Sequence, residues 1–164
     1  TILEQYLNRV EFGPNVRAVK VSPYPHFPIS DGSVSLCVGL SVFTHIDSYE
    51  TGWLAEIHRV LEPGGHAFLT IHSEDTWPLL PTMPHLLKLL EGDPAFAALD
   101  DAGAPMPRRR LVYDYNPNSI EHNCNVFMHS DYIRQCWGKW FEVVGIHPRA
   151  HHGFQTAVVL RKRD

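Results

Sequence analysis

Between Val34 and Phe43 the sequence VSLCVGLSVF is almost continuously apolar, the pattern of a strand buried on both faces of a parallel sheet. Trp53, Leu54, Ile57, Val60 and Leu61 then recur at helical spacing. Asp47 predicts the N-cap of that helix, with Glu50 three residues on completing a capping-box arrangement. Pro63-Gly64-Gly65 predicts its stop, because proline cannot extend the hydrogen-bond ladder and glycine tolerates a left-handed exit. A second apolar run, His66 to His72, follows at once. Strand, helix and strand with short connections predict a right-handed βαβ unit, the building block of a doubly wound α/β sheet.

The flanks are less regular. Ile2, Leu3, Tyr6, Leu7 and Val10 predict a short helix closed by Gly13-Pro14. Val16, Ala18 and Val19 form a strand-like run, and Pro23, Pro25 and Pro28 impose an extended loop ending in the turn Ser30-Asp31-Gly32-Ser33. Residues 76–120 hold seven of the thirteen prolines and the basic run Arg108-Arg109-Arg110, which predicts an irregular excursion. Within it, Thr82 caps a short helix carrying Leu86, Leu87, Leu89 and Leu90 and ended by Gly92, and a second runs from Pro94 to Leu99. Ser130 or Asp131 caps a further helix with Tyr132, Ile133, Cys136, Trp137 and Trp140 on one side. Phe141 to Ile146 and Phe154 to Leu160, joined by a turn through Pro148 to Gly153, predict an antiparallel hairpin.

Composition narrows the class. At 164 residues, 44% hydrophobic and 20% charged, the chain reads as one globular domain, and it has no apolar run long enough to span a bilayer. Fourteen basic against eighteen acidic residues give a net charge of −4, so nothing global draws it to nucleic acid or an anionic membrane. Eleven histidines make that sign soft as the pH falls toward 6. Three widely spaced cysteines suggest neither a disulfide framework nor a zinc knuckle, and the absence of a secretory opening points to the cytoplasm. The chain opens on Thr1 rather than methionine, so further residues can precede it.

The segments DGSVSLCVGLSVFTHI, EIHRVLEPGG and HAFLTIH resemble the central block of class I S-adenosylmethionine-dependent methyltransferases. The resemblance covers residues 1–72, and residues 125–162 in outline. It implies a Rossmann-like α/β sheet in the order 3-2-1-4-5-7-6, closed by an antiparallel hairpin, with S-adenosylmethionine as cofactor and a small-molecule acceptor such as a sugar hydroxyl. The departures are informative. The family binds its cofactor on a Gly-rich turn after the first strand and an acid after the second. Apart from Gly64-Gly65, no two glycines here lie close enough for such a turn. The chain therefore resembles the carboxyl-terminal portion of the domain, incomplete on its N-terminal side. Ser35 stands where the family has an aspartate, and Ser22-Pro23 stand where an acid near the adenine is common. The fourth strand of such a sheet would have an unpaired apolar edge, an aggregation template. Either residues 16–19 collapse beside it, or it pairs with another chain in a homodimer, or the piece folds poorly.

Ligands of open α/β sheets bind beyond the carboxyl ends of the strands, where His45 and His72 fall. Either imidazole is a candidate general base for methyl transfer to oxygen, against the plainer readings of a loop-fixing hydrogen bond and one histidine among many. The resemblance implies that Leu40, Ser41 and Phe43, with Ser22 and Pro23, border the cofactor; Leu40 and Phe43 equally suit a core. Arg108 to Arg110 with Tyr113 and Tyr115 are candidates to clamp an anionic acceptor, with a solvated charge run as the alternative. His151, with His147 and His152, is placed at the site rim or in solvent rather than on a metal. Trp137 and Trp140 read as packing. Residues 76–124 are expected to form a substrate cover within a single domain of residues 1–164. The reading from a different class is a non-catalytic remnant that binds a partner through its exposed edge.

Overall fold

The computed structural model describes residues 16, 19–91, 105–114 and 124–164. In chain order the elements are β1 (Val34–Gly39), α1 (Glu50–Val60), β2 (Leu61–Ile71), a 3₁₀ turn (Trp77–Thr82) and α2 (Pro84–Glu91). They continue with β3 (Arg110–Asp114), β4 (Cys124–Met128), α3 (Ser130–Cys136) with a 3₁₀ extension (Trp137–Lys139), β5 (Phe141–His151) and β6 (Gln155–Lys162). The main sheet has the order β1-β2-β6-β5, with β1 parallel to β2 and the other pairs antiparallel. This is the order expected for strands four, five, seven and six of the family sheet. β3 and β4 form a separate antiparallel pair, joined to the end of β2 by a bridge between His72 and Phe127.

The apolar periodicity of α1 translates directly into burial: Trp53, Leu54, Ile57 and Val60 all face the core. Trp53, Leu54 and Ile57 pack with Ala67, Leu69 and Ile71 of β2, with Trp137, and with Phe43, whose ring meets Trp137 edge-on at 5.1 Å. Each such side chain contributes about 1.5–3 kcal/mol by leaving water. A second cluster joins Trp77, Leu80 and Leu90 to Tyr113 and Phe127. Thus the described part of the Pro-rich segment has a small core of its own.

Several local expectations are corrected. α1 starts at Glu50 behind Tyr49, which adopts a left-handed conformation (φ 64) and supplies no side-chain cap. Asp47 caps nothing because its carboxylate is taken by Arg110 at 3.0 Å. β1 ends at Gly39 and is not buried on both faces, since Leu36 and Val38 remain 55% and 54% exposed. β2 begins at Leu61 rather than His66, and Pro63-Gly64-Gly65 lie in an irregularity where the register jumps from Val34–Leu61 to Leu36–His66. Gly65 is required there, as a Cβ would stand 2.9 Å from the Glu62 carbonyl oxygen. Thr82 donates to the Leu79 carbonyl and closes the 3₁₀ turn instead of capping α2. α3 is capped by His129, whose Nδ1 accepts from Asp131 N–H at 3.1 Å. Both strands of the hairpin are longer than expected, and Trp140 is 36% exposed rather than packed.

Val16 and Val19 lie in no strand and are exposed, so among the described residues nothing pairs with the outer edge of β1. The opening helix and the helix expected over 94–99 fall outside the described residues. Cys37, Cys124 and Cys136 form no disulfide. Among the described residues no helix is long and apolar enough to cross a membrane.

Candidate functional site

Where the chain leaves the carboxyl end of β1 it borders a cleft of about 470 Å³. That volume suits a small organic ligand, for which about 300–1,000 Å³ is usual. Ser22, Pro23, Ser41, Phe43 and His45 all line it, together with Phe27, Trp53 and other apolar side chains. Five of the residues singled out in the sequence therefore meet at one place. Leu40 does not line the cleft and is 47% exposed.

Two polar clamps shape the walls. Ser41 sits in a left-handed conformation (φ 55), unusual for a residue with a side chain. Its N–H donates to Thr70 Oγ1 at 2.8 Å and its hydroxyl to Gln155 Oε1 at 3.1 Å, while Thr70 Oγ1 donates to the same oxygen at 2.7 Å. These bonds hold the turn against its strain, and they leave the carbonyl as the backbone polar atom of Ser41 without an internal role in them. In the second, Arg59 of α1 gathers the loop that carries the cleft residue Phe27. Its guanidinium donates to the carbonyls of Phe27 (3.0 Å) and Ile29 (2.9 Å), to Asp31, and twice to Glu56. Glu56 in turn accepts the Phe27 N–H at 2.5 Å. The hydrogen-bonded Arg59 guanidinium holds the Glu56 carboxyl down at about 2, against the opposing effect of burial.

His45 lies 2.8 Å, through Nδ1, from the Cys124 carbonyl oxygen. A carbonyl only accepts, so the neutral ring carries its proton on Nδ1 and keeps its lone pair on Nε2. His72 differs. Its ring is buried and stacked on Phe127 and Phe154, with centroids at 5.0 and 6.0 Å. Burial, with the nearby His45 adding to it, pushes its pKa down to about 3. A nitrogen that resists protonation so strongly is a poor general base near neutrality, whereas His45 has the free lone pair and the cleft.

The other candidates are dispersed. Arg108 is exposed, Tyr113 is buried against Trp77 and Phe127, and His151 is half-buried at the hairpin turn, its ring 4.0 Å from that of His152. Tyr115 lies outside the described residues. Among the described residues no group of histidine, cysteine or acidic side chains has metal-binding geometry. Of the arginine run, Arg110 is the residue that turns inward. It donates to Glu50 at 2.9 Å and Asp47 at 3.0 Å, while Glu50 also accepts from Trp137 Nε1 (2.7 Å) and the Tyr132 hydroxyl (3.2 Å). Burial works against the Arg110 charge, but Glu50 and Asp47 outweigh it and raise its pKa. Burial and then Glu50 push the Tyr132 phenol up. The sequence showed Asp47 and Glu50 only as helix-start signals. Gln155 and Thr70 went unremarked, since a lone polar residue in a strand does not name its partner.

A strand-helix-strand unit with a cleft at the carboxyl end of its first strand, extended by an antiparallel hairpin, is a Rossmann-like α/β arrangement, shared with solved S-adenosylmethionine-dependent methyltransferases. Residues 4–69 match the model of a family described as a methyltransferase domain. Among solved structures, the chain is similar to a protein from Pyrococcus horikoshii OT3, with 14% identity and a TM-score of 0.59 over 98% of this chain and 65% of that one. It is similar to a methyltransferase from Methanosarcina mazei, with 15% identity and a TM-score of 0.53 over 88% of this chain and 66% of that one. It is also similar to the 1,6-didemethyltoxoflavin N1-methyltransferase of Burkholderia thailandensis, whose structure holds 1,6-didemethyltoxoflavin and S-adenosylhomocysteine. There the identity is 12% and the TM-score 0.51, over 82% of this chain and 46% of that one. The chain thus spans between about half and two thirds of these proteins. No curated protein matches its sequence.

Proposed function

We propose that the chain is the carboxyl-terminal, acceptor-facing portion of an S-adenosylmethionine-dependent methyltransferase acting on a small molecule, with a hydroxyl as the methyl acceptor. The observation that carries this reading is the meeting of Ser22, Pro23, Ser41, Phe43 and His45 around one cleft. The cofactor, when bound, supplies an electrophilic methyl group. Phe27, Phe43 and Trp53 suit its apolar body, and the clamped turn at Ser41 presents a carbonyl. Among the described residues no lysine, arginine, aspartate or glutamate lines the cleft, so these residues alone provide no counter-charge for an amino-acid moiety. His45, through Nε2, would take the proton of the acceptor hydroxyl as that oxygen bonds to the methyl group and the methyl–sulfur bond breaks, the sulfur leaving as a neutral thioether. Residues 76–124 cover the acceptor.

Calorimetric titration of the 164-residue chain with S-adenosylhomocysteine is expected to show no saturation below millimolar concentration, and tight saturable binding would overturn the division of labour. In the complete protein, His45→Ala is expected to lower turnover by 10²-fold or more, roughly the contribution of a general base, with little change in melting temperature. Unchanged activity would remove His45 from the chemistry.

A second reading has its own support. Leu36, Val38, Leu40 and Val42 are 55%, 54%, 47% and 46% exposed, along and just beyond the strand whose outer edge lacks a described partner. Such an edge suits pairing with a second copy of the chain. Sedimentation is expected to show a dimer that Val38→Lys converts to monomer; a monomer at all concentrations would refute it.

A further inference from the structure

Among the described residues, three buried side-chain polar atoms have no hydrogen-bond partner: Thr44 Oγ1, His72 Nδ1 and Asn125 Nδ2. All three belong to residues that β4 brings together. Val126 N–H donates to the Thr44 carbonyl and Met128 N–H to the His72 carbonyl, each at 2.8 Å, and Asn125 precedes Val126 on the same strand. Thr44, His72 and Asn125 are 0%, 4% and 2% exposed. A buried polar atom without a partner gives up the hydrogen bonds it made to water in the unfolded chain, so native proteins pair nearly all of them. Three in one neighbourhood mark a place whose partner comes from outside the described residues.

The chemistry of that partner follows from the donors. The Asn125 amide nitrogen only donates, the Thr44 hydroxyl donates or accepts, and the imidazole Nδ1 does one or the other according to its tautomer. A hydroxyl or a carboxamide, which both offers and accepts hydrogen, satisfies such a set. A carboxylate or ammonium does not, because none of the three residues supplies a counter-charge and burial penalises an unpaired ion. His72 itself stays uncharged near neutrality for the same reason. Phe127 and Phe154 stack on its ring and fix its orientation. The place is also chemically apt, since it lies past the carboxyl ends of β1 and β2, where open α/β sheets take their ligands.

We propose that Thr44, His72 and Asn125 form a binding site for an uncharged hydroxyl or carboxamide group of a small ligand. It deepens the methyltransferase reading, on which it rests for one point only, that the group belongs to the methyl acceptor.

The site is tested on the chain without cofactor. Long-range ¹H–¹⁵N correlation of the labelled imidazoles, with His72 identified by its loss in His72→Gln, is followed during titration with ethanol, acetamide and acetate. A saturable shift of His72 Nδ1 with ethanol or acetamide, but not with acetate, is expected, and which neutral probe acts tells hydroxyl from carboxamide. Asn125→Leu and the near-isosteric Thr44→Val are each expected to weaken it at least tenfold. No saturable shift with either neutral probe, an equal response to acetate, or unchanged binding in a folded Thr44→Val chain would overturn the proposal. Because no cofactor is present, its failure leaves the methyltransferase reading standing. A failed cofactor titration likewise leaves the probe response intact.

Discussion

Glu56→Gln isolates the clamp that builds one wall of the cleft. Glutamine keeps an oxygen to accept the Phe27 N–H but loses the charge that faces Arg59 at 2.6 Å. The Arg59 hydrogen bonds, helped by the Phe27 N–H, the Arg59 charge and His26 and opposed by burial, lower the Glu56 pKa from 4.5 to about 2. At about 1.4 kcal/mol per pH unit this corresponds to roughly 3 kcal/mol for a fully shielded pair. Arg59 is 28% exposed while the Glu56 side chain is 9% exposed, and solvent around the arginine reduces the expected cost of the substitution to about 1–2 kcal/mol at pH 7. Its sign with pH is fixed. The folded carboxyl ionises more readily than the unfolded one, so the contribution is complete above pH 4.5 and drains away as the pH falls toward 2. Urea unfolding of both chains at pH 7, 5, 4 and 3 should show a constant gap down to pH 5 that narrows below it. A gap that is absent at pH 7, or that persists undiminished at pH 3, would refute the reasoning. Arg59→Met combined with Glu56→Gln should cost less than the two single changes together, because each single change leaves the other partner's hydrogen bonds unmet.

Glu50→Ala should destabilise by about 3 kcal/mol, because it strips the counter-charge from half-buried Arg110 and the acceptor from Trp137, as thermal melting and Trp137 fluorescence will show. His72→Phe should flatten the pH dependence of stability. The unfolded histidine binds a proton below 6.5 while the folded one resists to about 3, so the wild-type chain loses about 2 kcal/mol between pH 7.5 and 5 on this account. The slope that remains belongs in part to His58, whose pKa burial and Lys162 also lower; an unchanged slope would contradict the assignment. Gly65→Ala should cost about 1–3 kcal/mol, because its Cβ meets the carbonyl oxygens of Glu62, Val34 and Ser35 at 2.9, 3.2 and 3.3 Å and the backbone has to move.

The parts legible in the sequence are those governed by local repetition. The 3.6-residue spacing of Trp53, Leu54, Ile57 and Val60 determines which face of α1 is buried, and the extended apolar runs place β1 and β2. What was not legible depends on residues far apart in the chain. Glu50 looks like a capping residue until Arg110 and Trp137, 60 and 87 positions away, arrive at its carboxylate. The arginine run reads as solvated charge, yet Arg110, the first residue of β3, reaches Glu50 and Asp47 while Arg108, before the strand begins, stays exposed. β1 looks doubly buried because composition records what a strand tolerates and says nothing of whether a neighbour is there to cover it. Asn125 was the one available sign of the polar cluster, an amide inside the apolar strand Cys124–Met128.

The segment that carries the family resemblance most specifically, EIHRVLEPGG, holds no residue with an evident chemical role. Its structure explains why it nonetheless accompanies the site. Glu56 and Arg59 stand one helical turn apart, so both reach the same side of α1 and grip the loop through the Phe27 and Ile29 backbone and the Asp31 carboxylate. Pro63 to Gly65 then form the irregularity within β2 at which its pairing with β1 shifts from Val34–Leu61 to Leu36–His66. The segment thereby sets the spacing between α1, β1 and the loop that brings Ser22 and Pro23 to the cleft. A motif without a nucleophile or base can mark an enzyme family in this way, because loosening its clamp displaces a wall of the cleft while the residues that line it remain unchanged.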